Sequence, residues 1–355
     1  MNISTDLDEI SPDLNKSAGG YEWWYFDGIS DDDEYSFVII FYHVNPFSTK
    51  YIQELHSDDM CTSIHPAISI SVYHKSKPLY YSFLEFDEED FSWSADHLTL
   101  TVDTNSVQYC VTENAFGFEI ELDQELASGH SIKGVISGEG GLSPSSLIQS
   151  KSTDRHLWNL VLPGLIFDAN LMVDGRGGKS KISFQGNGYH DHNIGYEPMK
   201  NSFRDWYWGR YHFEDMTIIY YLMNKHESQQ FEGWLIDRQN QSVLTYFSTA
   251  ELEYYSRNWF GLHSARKIEL KTGEVTVNIQ CRNKIDDGPF YQRFLGDSIL
   301  RYNDQIYVAQ GISEYIYPKN IHKKMFWPLV HMRLRYMKEK PHWVQKSRLM
   351  YPWTW

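Results

Sequence analysis

The sequence predicts an all-β protein, and three observations carry that prediction. Short runs of alternating residues recur through much of the chain, aromatic residues make up 16% of it, and helical periodicity is scarce. Side chains on a strand point alternately to its two faces, so such runs set an apolar face against a core. Aromatic and β-branched residues favour pleated, half-buried surfaces. Serial short strands bounded by turn residues assemble into sandwiches or barrels.

Taken in order, YEWWYFDG (21–28) reads as a first strand whose rings fill a barrel. SFVIIFYH (36–43), AISISVYH (67–74) and LYYSFLEF (79–86) follow, with NPF (45–47) and HP (65–66) as turns between them. HLTLTVD (97–103), SVQYCVT (106–112) and GFEIEL (117–122) continue the series, and DDDE (31–34) and DEED (87–90) read as solvated turns. After GYHDHNIG (188–195) come DWYWGRYHF (205–213), MTIIYYLM (216–223), KIELKT (267–272) and EVTVNIQ (274–280). The best helical candidate is 322–340, which Pro328 interrupts. A division near residue 190 gives two β domains, 1–189 and 190–355. The second ends in a short helical or irregular, basic segment.

Composition narrows the function. The formal net charge of −15 argues against a nucleic-acid binder, which needs a basic footprint. Residues 319–348 depart from this, with nine Lys/Arg against the single acid Glu339. Such a segment can touch an anionic membrane surface peripherally or pair with the acidic body. Cys61, Cys110 and Cys281 form no CxxC pair, which argues against a disulfide scaffold or a structural zinc cluster. The start MNISTDLDEI has no signal-peptide core, and no run approaches the ~20 apolar residues of a spanning helix. A soluble, cytoplasmic protein is expected. Walker, Rossmann and GxSxG patterns are missing; GEGG (138–141) lacks the following Lys.

The chemistry-bearing stretch is GYHDHNIG. On an extended chain His190 and His192 share one face, and Tyr189, Asp191 and Asn193 share the other. The His pair could bind a metal with His212 or Glu197. Alternatively, His192 or Asp191 serves as an acid, or the cluster ties a junction together by hydrogen bonds. DWYWGRYHF repeats the alternation. Trp206, Trp208, Arg210 and His212 form one face, either lining a pocket or with Arg210 paired to an acid. Glu22, set among Trp23, Trp24 and Tyr25, is a candidate for a raised pKa.

YEWWYFDG, GYHDHNIG and DWYWGRYHF, in that order, resemble the carotenoid 1,2-hydratase-like proteins, whose relatives include lipocalin-like Diels–Alderases. The resemblance implies two lipocalin-like β-barrel domains and a cofactor-independent enzyme acting on a large hydrophobic substrate. It places His192 in the proton-transfer site, with Tyr220 or Tyr221 on a following strand. Ile194 stands where a Trp commonly follows the HN pair, and Leu222 and Met223 stand where an Asp is expected. On this reading His192, Asp191 and Tyr220 are catalytic. Trp23, Trp24, Tyr189, His190, Trp206, Trp208, Arg210 and Tyr221 bind substrate, and no metal is required. The departures favour cyclisation or pericyclic isomerisation of a polyketide or terpenoid polyene. Hydration of an isoprenoid C=C bond is second, and a non-catalytic carrier of an apolar metabolite is the third reading.

Overall fold

The computed structural model describes residues 1–14, 17–57, 63–144, 147–148 and 155–355. Cys61 lies outside these residues. The chain divides into two compact units, 1–198 with 324–355, and 199–323. Each is built on one curled, mainly antiparallel sheet.

The first unit's sheet has thirteen strands. Its centre is Ala67–His74, Tyr35–Val44, Tyr21–Ser30, Gly178–Gly195 and His156–Gly175, hydrogen-bonded in that order. Ser131–Gly141, Ala115–Glu125 and Asn105–Val111 continue on one side, and Lys77–Glu85 lies on the other. Two short strands join in parallel: Asn2–Ser4 beside Leu157–Asn159, and Leu334–Tyr336 beside Phe83–Glu85. Alternation sends Trp24, Phe26, Phe37, Ile39, Phe41, Ile68, Ile70 and Val72 into one apolar core. Gly28 is dictated by that core. A Cβ there would stand 2.5 Å from the rings of both Phe37 and Phe167, closer than any side chain tolerates.

The second unit's sheet has nine strands. Gln229–Asp237, Met216–Lys225, Phe203–Phe213, Gln305–Ile316, Tyr291–Tyr302 and Val275–Asp287 are consecutive neighbours within it. Its own core gathers Tyr207, Tyr211, Ile218, Tyr220, Leu222, Leu235, Ile279 and Phe294. Gly209 lets the Tyr220 ring lie across the neighbouring strand, since a Cβ would fall 2.6 Å from it.

Three expectations change. The division expected at 189/190 falls inside the Gly178–Gly195 strand, which belongs entirely to the first unit. Residues 324–355 also return to the first unit instead of ending the second. Pro328, expected to interrupt a helix over 322–340, instead starts one: Trp327–Arg333 is helical with proline in its first turn. The chain then becomes strand at Leu334. Among the described residues no helix is long and apolar enough to cross a membrane.

Part of the basic segment is held by acids of the first unit. Lys338 pairs with Asp87 and Glu89, Lys50 meets Glu339, and Arg348 pairs with Asp174. Arg333 lies over the Tyr81 ring at 4.3 Å.

Candidate functional site

Two neighbouring strands of the first unit make the site. Tyr21–Ser30 and Gly178–Gly195 are antiparallel, with His192 opposite Trp24 and His190 opposite Phe26. The period of two therefore puts Glu22, Trp24 and Phe26 on the same inward face as His190, His192 and Ile194. His43 joins from the next strand, and Asn159, opposite His192, from the strand beyond.

Glu22 is wholly buried between two imidazoles. Its Oε1 lies 3.0 Å from His192 Nε2, and its Oε2 lies 2.8 Å from His43 Nδ1. Oε1 also accepts the backbone N–H of Asp13 at 3.0 Å. His192 Nδ1 lies 2.6 Å from the Glu9 carbonyl, which comes from the short helical turn Leu7–Ile10. A carbonyl can only accept, so Nδ1 carries a hydrogen. The His192 tautomer is thereby fixed, and any further proton between Nε2 and Glu22 is shared by the pair. The His192 ring stacks on Trp24 at 4.5 Å, and the Trp24 indole N–H donates to the Ile10 carbonyl at 2.9 Å. His43 stacks on Phe91 at 4.4 Å. Oδ1 of Asn159 and Oε2 of Glu9 are buried acceptors that meet no donor among the described residues.

His190 shares the face but not the network. Its Nδ1 bonds to the Tyr25 carbonyl at 2.9 Å, its Nε2 meets the Tyr109 hydroxyl at 3.2 Å, and its ring stacks on Phe26 at 4.0 Å. Burial pushes its pKa down to about 3, so it is neutral at physiological pH. The unfolded chain takes up this proton near 6.5, the folded chain only near 3, so His190 costs stability as pH falls through that window. His190→Gln is expected to flatten the acid limb of the urea midpoint between those pH values. An unchanged pH slope would show that the buried ring is not the proton-refusing group.

Asp191 is turned to the opposite face. It accepts from the Trp158 indole at 2.8 Å, the Tyr189 hydroxyl at 2.7 Å and the Asn193 amide at 2.7 Å. These three hydrogen bonds all use the carboxylate as an acceptor, on the face away from His192. Burial first, then the charge on Asp191, holds the Tyr189 hydroxyl well above its ordinary pKa. Trp23 belongs to this second face, half-buried and stacked on Tyr21 at 5.0 Å.

The remaining expected residues lie in the second unit, on two faces. Tyr220 points into its core and shares the Ser313 hydroxyl with Tyr211, at 2.9 and 2.7 Å. Trp206, Trp208, Arg210 and Tyr221 lie on the other face of the same strand pair and are buried. His212, half-buried, bonds Thr217 at 2.7 Å. The metal reading finds no support in the geometry: both nitrogens of His190 and of His192 are engaged within the first unit. Glu197 lies 3.5 Å from His156. Among the described residues no set of three His, Cys, Asp or Glu side chains is arranged to hold a metal.

Sequence reasoning noted Glu22 without assigning it a role, and missed His43, Asn159, Glu9 and Trp158. His43 ends an ordinary-looking strand 21 residues from its partner. Its signal was a histidine on the inward parity of that strand.

Comparison with known proteins adds to this geometry. The family model described as carotenoid hydratase CrtC matches residues 65–342. A protein named hydroxyneurosporene dehydrogenase, from Chlorobaculum tepidum, is 24% identical over 92% of this chain and 90% of its own length. An acyclic carotenoid 1,2-hydratase from Thiocapsa roseopersicina is 24% identical over 59% of this chain, which spans about half the length of that relative. Among solved structures, CghA in complex with Sch210972 superposes with a TM-score of 0.59 at 10% identity, covering 85% of this chain and 89% of its own. At that identity the likeness shows the fold alone, two lipocalin-like halves.

Proposed function

The chain belongs to the carotenoid hydratase CrtC family, and from that premise we propose that it adds water across a C=C bond of a large, hydrophobic, isoprenoid-type polyene without a cofactor. The observation that supports this most is the Glu22 carboxylate between His43 and His192, with the His192 tautomer fixed by the Glu9 carbonyl. A proton held between Nε2 and Oε1 is a Brønsted acid in an apolar surround, where charge transfer is strongly felt.

In the forward step the alkene π pair takes that proton and the neighbouring carbon becomes cationic. An aromatic face that the substrate reaches attracts such a cation by about 0.5–2 kcal/mol. A water oxygen then bonds to the cationic carbon, and its surplus proton returns to the Glu22–His192 pair. Asn159 Oδ1 and Glu9 Oε2 are acceptors suited to orient that water, which needs two or more polar partners. On this reading His190 and Phe26 shape the apolar wall, and Asp191, Tyr189 and Trp158 hold the strand from behind.

A second reading, cyclisation or pericyclic isomerisation, has one specific observation in its favour. Ile194, beside Glu22 in the register, offers no donor where an indole N–H would stand, and Leu222 and Met223 offer no carboxylate. Such a site would act by folding the polyene, with effective positioning supplying up to about 7–11 kcal/mol. Incubation of the purified protein with an acyclic carotenoid separates the readings. A product heavier by one water supports hydration, a product of equal mass supports isomerisation, and binding without product leaves a carrier. Incorporation of labelled oxygen from solvent water is the expected result.

A further inference from the structure

We infer that residues 340–355 form a docking face for an anionic phospholipid bilayer. The stretch, KPHWVQKSRLMYPWTW, contains three Lys/Arg and no acidic side chain, in a chain whose net charge is −15. It lies on the first unit as two short helical turns, Trp343–Lys346 and Tyr351–Thr354, that pack against each other. Val344, Gln345, Tyr351 and Pro352 are buried and anchor it, with Val344 and Tyr351 part of that unit's core. Gln345 adds amide hydrogen bonds to the His331 and Leu334 carbonyls at 3.0 and 3.2 Å.

Because these anchors fix the inner side, the residues beside and between them face out. They are Trp343, Leu349 and Trp353, exposed by 62, 82 and 83%, together with Met350. Leaving two indoles and a leucine in water on a firmly anchored segment forfeits burial that any core position would gain. Lys340 and Lys346 lie in the same stretch, exposed, and neither forms an ion pair among the described residues. This sets the face apart from the preceding part of the basic segment, where Lys338 is held by acids. Indoles at headgroup depth with unpaired cations beside them are the chemistry of an interfacial, not a spanning, contact. An apolar partner protein would not call for the unpaired lysines, and a nucleic acid would not call for the leucine. The face would bring the protein to the phase in which an apolar polyene dissolves, but the inference stands on the surface alone.

Flotation of the full chain with vesicles, without substrate, tests it. The protein is expected to float with vesicles of equimolar phosphatidylcholine and phosphatidylglycerol, and less with phosphatidylcholine alone. Lys340→Gln with Lys346→Gln should lower partitioning roughly thirtyfold. Trp343→Ser with Trp353→Ser should abolish detectable flotation, and neither pair touches a buried side chain. Trp259, 99% exposed in the second unit, is the internal control: Trp259→Ser should float as wild type. The inference is overturned if wild type ignores anionic vesicles or if the tryptophan pair floats unchanged. It is also overturned if the loss follows Trp259, or if the tryptophan pair instead converts a dimer to a monomer in vesicle-free solution.

Discussion

Replacing His192 with glutamine is expected to lower turnover of an acyclic carotenoid by about 10²–10⁴-fold, the span that a positioned acid–base group contributes. Glutamine can keep a contact to the Glu9 carbonyl or to Glu22, but it cannot hold a transferable proton. The stack on Trp24 at 4.5 Å is also lost, so some destabilisation accompanies the change, about 1–3 kcal/mol. The two effects separate by measurement. The urea midpoint gives the folded fraction, and turnover per folded molecule gives the chemistry. Glu22→Gln should produce a similar fall, because it removes the other holder of the same proton. If activity falls only in proportion to the folded fraction in both variants, the buried trio is a structural tie and the acid lies elsewhere. A large loss in Glu22→Gln with none in His192→Gln would pass the role to His43, whose Nδ1 meets the second carboxylate oxygen at 2.8 Å.

Much of this site was legible because strand parity is a local property. The alternation in YHDHN places His190 and His192 on one face and Tyr189, Asp191 and Asn193 on the other, and the folded strand does the same. What parity cannot say is which strand lies alongside. His43 and Asn159 reach His192's neighbourhood through pairing partners far away in sequence. Trp158, the indole donor to Asp191, sits on the His156–Gly175 strand, whose sequence does not read as one strand. Pro163 and Gly164 stand in the middle of that run and usually end a strand. Here the register shifts between Asn159 and Leu162 and again between Leu162 and Leu165, so the proline falls in an irregular stretch and the strand continues past it. Ser131–Gly141 was hidden in the same way by its glycines. The return of 324–355 to the first unit depends on a three-residue parallel pairing, Leu334–Tyr336 with Phe83–Glu85, for which the sequence carries no periodic signal. Tyr220 was grouped with His192 by resemblance, and it belongs to the core of the other unit.

Asp191→Ala is expected to act in the opposite manner to His192→Gln: a large loss of stability, with the surviving folded molecules turning over near the wild-type rate. The carboxylate is the common acceptor of Trp158, Tyr189 and Asn193, and all three contacts are within 2.8 Å. Alanine removes that acceptor from two buried donors, Trp158 and Tyr189, and from the half-buried Asn193, each lost bond costing about 1–3 kcal/mol. A fall of at least about 3 kcal/mol follows, read as a lower urea midpoint at unchanged slope. Asp191→Asn should cost less, since one oxygen still accepts, but its amide hydrogens face donors and cannot restore the third bond. The same acid was a candidate proton donor on sequence grounds because it neighbours His192. Adjacent residues on a strand face opposite ways, so its proximity along the chain is separation in space. A stable Asp191→Ala protein with no activity would reverse that assignment and return the acid to Asp191. A destabilised but active one places Asp191 behind the sheet, holding straight the strand that presents His192 to Glu22.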